Sequence, residues 1–227
     1  TDINIIEVGM GGRLDSTNII QPLVSVITNI GLDHTQFLGS TLKDIATEKA
    51  GIIKNNIPVV IGEYTKETKV VFEEIAKRKN AEIYFASDII ENTFPSQLLG
   101  QYQEHNKKTV LQTLHILRKQ ESFKFTDENI AQGFLKVVDH TGLLGRWQTL
   151  QQNPTVICDT AHNAHGLTIV MKQLLSQNFE RLHFVLGVVN DKKLDDVLPL
   201  LPKNAKYYFC KPNIPRGLDE NILAIEA

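Results

Sequence analysis

The sequence predicts an α/β fold, a mostly parallel sheet with helices between its strands, and three observations lead there. Short apolar runs rich in Ile and Val alternate along the chain with amphipathic stretches of helical period, the order expected of βαβ units. The 227 residues, 42% of them hydrophobic, can bury a real core and suffice for two domains. Finally, the pattern is interrupted by the glycine-punctuated stretch HTGLLGRWQTL and then restarts at TVICDT. This places a junction between two units, residues 1–143 and 144–227.

In the first unit, strands are expected at 3–8 (Ile3, Ile5, Ile6), at 25–30 until Gly31 breaks the run, at 58–62 (PVVIG) and at 82–86 (EIYFA). Helices are expected at 41–53, 65–79, 101–119 and 127–137. The second of these is amphipathic, with Val70, Val71, Phe72, Ile75 and Ala76 inward and its Lys and Glu residues forming a solvated face. The second unit reads as three strands, 156–159, 182–188 and 205–210, alternating with helices at 164–176 and 192–199. Residues 220–227 end within a helical pattern.

Composition narrows the function classes. A net charge of −2 with interspersed signs and no polybasic run argues against a nucleic-acid surface or an anionic membrane as partner. No membrane span or signal segment is apparent. Cys158 and Cys210 fall on expected strands and read as buried thiols of a reducing cytoplasm.

The most informative stretch is EVGMGGRLDSTN, residues 7–18. Glu7 leaves an apolar run into a turn with glycines at 9, 11 and 12, where backbone N–H groups can approach an anion and a carboxylate sits where ligands bind in open α/β sheets. The alternative is that the glycines merely turn the chain. SVITNIGLDHTQFLG repeats the arrangement and offers Asp33 and His34. A Glu and a His from two strand tips suit a hard divalent cation bridging phosphates; with no thiolate in the set, magnesium fits better than zinc. DTAHNAHG, opening the helix after VIC, places Asp159, His162 and Asn163 in a strand-to-helix turn facing the cleft; the lesser alternative is that Asp159 merely caps the helix. Asp191 and Lys192 in GVVNDKK form a weaker candidate pair for ATP or the incoming amino acid.

Taken in order, EVGMGGRLDSTNII, ITNIGLDHTQFLG, EKAGIIK with PVVIGE, LLGRWQ and DTAHNAHG resemble folylpolyglutamate synthase/dihydrofolate synthase of the Mur ligase superfamily. The resemblance implies a partial Mur-ligase-type central ATPase domain followed by a smaller Rossmann-like α/β domain. It implies Glu7 and His34 as magnesium ligands, Lys49 as a carbamate-bearing lysine, and Leu14, Asp15 and Ser16 lining a pteroate pocket. Asn106, Arg146 and Asp159 match positions that hold ATP, and His162 would orient a reacting group. Taken singly, Lys49 reads as a solvated helix lysine and His162 as a structural histidine. Ala164 stands where the family usually has proline, and DKK departs from a more acidic ending. No GxxxxGK[ST] segment occurs, and in the family that element precedes EVGMGGR, so a fragment is expected that cannot turn over ATP alone.

The implied chemistry is ATP-dependent amide formation, in which a carboxylate becomes an acyl phosphate that the amine of L-glutamate attacks. The implied substrates are dihydropteroate or folates, L-glutamate and ATP with magnesium, handled by a cytoplasmic enzyme that is monomeric when full length. The rival readings are a Mur-type ligase with another acceptor and a non-catalytic module binding folate or a protein partner.

Overall fold

The computed structural model describes residues 2–121, 123–190 and 194–227. Asp191 and Lys192 therefore lie outside the described residues. The chain divides into two compact units, one comprising residues 1–97 and 102–142 and the other 98–101 and 143–227.

The first unit is built on three parallel strands, β1 (Ser25–Ile27), β2 (Val59–Ile61) and β3 (Ile83–Phe85), in the order β1-β2-β3. Helices α1 (Thr35–Leu38), α2 (Leu42–Lys49), α3 (Lys66–Arg78), α4 (Ala86–Ile89), α5 (Gln103–Lys119), α6 (Asp127–Leu135) and α7 (Val137–Thr141) complete it. The central strand is wholly apolar because both faces are covered. Successive side chains alternate sides. Val59 and Ile61 pack in one cluster with Ala46 of α2 and with Val71, Phe72, Ile75 and Ala76 of α3, whereas Val60 packs with Ala86 of α4 and Ile116 of α5. Helices α5 and α6 share a further cluster of Ile90, Leu111 and Ile130, flanked by Phe94 and Phe134.

Helix starts follow local chemistry. Thr41, Thr65 and Thr126 each cap a helix and complete a reciprocal box with Asp44, Thr68 and Asn129, satisfying amide donors that no helical carbonyl can reach. In α3 the buried positions 68, 71, 72, 75 and 76 form one stripe. Val70, expected inward, is 52% exposed, because it lies about 100° around the helix from Val71.

Several expectations are corrected. Residues 2–8 form no strand: their alternation is right for one, but a strand exists only where a neighbour completes its ladder, and Ile5 is 94% exposed. The strand expected to reach residue 30 ends at Ile27, and the helix expected to reach 53 ends at Lys49 and tightens into a 3-10 turn over Ala50–Ile52. The helix expected over 127–137 stops at Leu135, and α7 begins after Lys136.

The second unit contains an antiparallel hairpin, β4 (Gln148–Gln152) with β5 (Thr155–Cys158), and a parallel pair, β6 (His183–Leu186) with β7 (Lys206–Phe209). Helices α8 (Ala164–Leu175), α9 (Leu194–Val197) and α10 (Glu220–Glu226) accompany them, with a 3-10 turn at Leu198–Leu200. Expecting residues 156–159 to join the strands at 182–188 and 205–210 missed the hairpin: among the described residues the ladder partner of β5 is β4. The polar run QTLQQ carries little strand propensity of its own, and pairing with TVIC makes it a strand. Cys158 is half-buried and Cys210 exposed, both free thiols, so neither is the buried thiol expected. No described helix is long and apolar enough to cross a membrane.

Candidate active site

The loop after Glu7 is docked against the carboxyl end of α2. The amide of Arg13 donates to the carbonyl of Glu48 at 2.9 Å, and the Arg13 guanidinium straddles the Glu48 carboxylate, with Nε 3.0 and 3.2 Å from its two oxygens and a terminal nitrogen 3.0 Å from Oε1. Asn18 Nδ2 donates to the carbonyls of Arg13 and Gly51, at 3.2 and 3.1 Å, and Lys54 Nζ donates to the carbonyl of Asn18.

This docking accounts for two glycines. A Cβ on Gly12 would stand 2.8 Å from Ile52 Cγ2 and 3.0 Å from the Lys49 carbonyl oxygen, and one on Gly51 would stand 2.4 Å from Arg13 Cα. Gly11 needs its freedom differently, for φ is +65°. The glycines thus serve loop-to-helix contact in this structure.

Within the loop, Asp15 is the organising residue. Its carboxylate accepts from the Thr17 hydroxyl at 2.6 Å, the Thr17 amide at 2.9 Å and the Met10 amide at 3.0 Å, and caps the 3-10 turn Ser16–Ile19. The Thr17 hydroxyl above all, then the Met10 and Thr17 amides, hold its pKa down to about 2. Leu14 and Ser16 flank it; both are exposed, Leu14 at 80%.

Glu7 and His34 are exposed, and neither leaves a strand tip as expected. Glu7 lies in irregular chain, and His34 takes a left-handed conformation, φ 49°, before α1. The amide of His34 donates to Asp33 Oδ1 at 2.9 Å. Among the described residues no group of three or more His, Cys, Asp or Glu is arranged to hold a metal ion. One carboxylate and one imidazole match in number what magnesium takes from a protein when phosphate and water supply the rest. Lys49 is the half-buried last residue of α2, directly after Glu48.

Asn106 sits in the first turn of α5, its Nδ2 donating to Gln103 Oε1 at 3.0 Å; Gln103 is buried. In the second unit the structure brings Arg146 and Asp159 to one place. Asp159 accepts from the Trp147 amide at 2.7 Å through one oxygen and from the Ala161 amide at 2.8 Å through the other. Arg146 donates to the Thr160 hydroxyl and to the Gly145 carbonyl, while the Thr160 amide donates to Gly145 O at 2.9 Å. The helix cap is Asn163, which accepts from the Gly166 amide at 2.8 Å, so the alternative of Asp159 as cap is set aside. Ala164 holds the first helical position, where proline is also well accommodated. His162 is exposed, with Nδ1 3.1 Å from the Thr160 carbonyl.

Sequence reasoning missed Glu48 and Gln103. The signals available were an acid directly before Lys49 and a Gln one helical turn before Asn106.

Comparison with known proteins shows the family. Residues 1–135 match the Mur ligase middle domain and residues 145–227 the Mur ligase, glutamate ligase domain. The chain is 33% identical over 246 residues to folylpolyglutamate synthase of Lacticaseibacillus casei, covering 96% of this chain and 56% of that protein. It is 32% identical to dihydrofolate synthase/folylpolyglutamate synthase of Bacillus subtilis, covering 95% and 55%. Among solved structures, Mycobacterium tuberculosis folylpolyglutamate synthase complexed with ADP and AMPPCP superposes with a TM-score of 0.84 at 28% identity, covering 96% of this chain and 54% of that one. E. coli FolC in complex with DHPP and ADP gives a TM-score of 0.77 at 28% identity, covering 96% and 54%. The chain thus spans about half the length of the relatives it matches. Two family matches, one over most of each compact unit, mean that this chain belongs to the Mur ligase family.

Proposed function

We propose that this chain is part of an ATP-dependent ligase that joins L-glutamate to dihydropteroate, to folyl(poly)glutamates or to both, through an acyl phosphate. The observation that carries the reading is the docking of the loop with Leu14, Asp15 and Ser16 onto the end of α2, beside Lys49. Support comes from relatives named for these activities and from a solved bifunctional folylpolyglutamate synthase/dihydrofolate synthase with Mn, AMPPNP and L-glutamate bound, at 30% identity and a TM-score of 0.77.

In this reading residues 1–143 belong to the ATP-binding part and 144–227 to the glutamate-ligase part. Leu14 and Ser16 contact the pterin-bearing acceptor, and Asp15 keeps the loop in shape. Glu7 and His34 hold magnesium, which when bound spreads the charge of the transferring γ-phosphoryl group. Lys49 as a carbamate is an anion that can join that metal network, whereas as an ammonium it would repel the metal. Asn106, Arg146 and Asp159 hold the nucleotide, the arginine through its fixed fork of donors. His162, exposed in the turn before α8, orients the amino acid or the reacting carboxylate. The two free thiols suit a reducing cytoplasm, and we take the complete enzyme as a monomer that binds neither nucleic acid nor membrane.

The test is ADP release by the complete polypeptide, dependent on both a pterin acceptor and L-glutamate, with dihydropteroate and folylglutamate compared. Glu7→Gln lowers turnover by about 100-fold or more, as expected when a charged group is lost from transition-state stabilisation, and leaves folding intact. Magnesium-dependent ligation at the normal rate by this variant removes Glu7 from the metal site.

A further inference from the structure

We propose that Arg13 and Glu48 are positioning residues, a two-point brace that sets the acceptor loop against Lys49. The inference rests on the ligase reading above and deepens it. Glu48 holds Arg13 twice, through its backbone carbonyl and through both oxygens of its carboxylate. Arg13 is followed directly by Leu14, Asp15 and Ser16, and Glu48 by Lys49. One pair therefore ties together the residue expected to carry the carbamate and the residues expected to meet the pterin.

Two further features make the brace effective. Both Asp15 oxygens are engaged within residues 10–17, so the loop moves as a unit and its attachment decides where it sits. Gly12 and Gly51 let the two backbones approach more closely than side chains would allow. The Arg13 and Glu48 side chains are 55% and 24% exposed, and an ion pair this exposed adds little to global stability. Its effect belongs in substrate positioning, where small displacements change rates strongly.

The experiment uses the complete ligase and measures KM and kcat for acceptor, ATP and glutamate, together with thermal stability. The variants are Arg13→Ala, Glu48→Ala, the double variant, Arg13→Lys and the exchange Arg13→Glu with Glu48→Arg. Thr126→Ala, which loses a distant helix cap, is the control for plain destabilisation. Each single alanine variant raises the acceptor KM about threefold to fivefold, the upper end of the scale for losing one partly exposed ion pair, and leaves the ATP KM within about twofold. The double variant is no worse than either single one, Arg13→Lys recovers part of the loss, and Thr126→Ala leaves the acceptor KM alone. Additive losses, equal shifts in all three KM values, or a change in melting temperature alone overturn the brace. If the unaltered enzyme releases no ADP in response to any pterin acceptor, the ligase reading itself fails and the brace falls with it; normal acceptor KM values in the variants of an active enzyme refute the brace alone.

Discussion

Gly51→Ala is the sharpest physical test of how the loop is held. Gly51 follows α2, and a Cβ there would stand 2.4 Å from both Cα and Cβ of Arg13 and 2.8 Å from its amide nitrogen. Carbon atoms in ordinary contact stand about 3.5–4.0 Å apart, so the two segments must separate by more than about 1 Å. The obstacle includes backbone, and no rotamer change relieves it. Separation breaks the Arg13 amide to Glu48 carbonyl bond and the Asn18 bond to Gly51, each worth about 0.5–1.5 kcal/mol net. Keeping the loop docked instead forces an overpacked contact costing about 1–3 kcal/mol. Either way the docked state loses about 1–3 kcal/mol. Hydrogen exchange of the Arg13 amide reads this directly, and it accelerates roughly 5- to 150-fold in the variant. The Val59 amide, bonded at 2.8 Å to the Glu82 carbonyl inside the sheet, keeps its rate. Arg13 exchange within about twofold of the parent rate refutes the docking as described.

Other predictions concern charge, core and modification. The folded pKa of Asp15, about 2, lies below the ordinary value of about 3.9, so its stabilisation of the loop is complete above pH about 4 and disappears as pH falls through about 2. Carboxyl NMR should find that midpoint, and Asp15→Asn should abolish the acid-dependent change in the Met10 and Thr17 amide shifts. Phe72→Ala, at a fully buried position, costs about 3–5 kcal/mol, measured as a lower urea midpoint by circular dichroism; a loss below about 1 kcal/mol contradicts the packing of α3 on the sheet. In bicarbonate-equilibrated complete enzyme with magnesium and nucleotide, carbon-13 NMR shows a carbamate resonance that Lys49→Arg removes, and its absence in the unaltered enzyme rejects the modification.

How much could be read from residues alone depended on the range of the cause. Helix α3 and strand β2 were readable because their patterns are local: a stripe at helical spacing needs one buried face, and VVI between Pro58 and Gly62 needs two. The ordered motifs pointed to the Mur ligase family, whose matched regions and structural neighbours then supported that assignment. Tertiary structure alone decided what depends on a partner distant in sequence. Residues 3–8 carry the alternation of a strand yet have no ladder, whereas polar QTLQQ becomes a strand because TVIC pairs with it. Nothing near Glu48 announces that its carboxylate will meet Arg13, 35 positions away, nor that Gly12 and Gly51 are small because each meets the other's segment. Local sequence sets which conformations are cheap; contact between segments far apart along the chain selects among them, and that selection placed this loop on its helix.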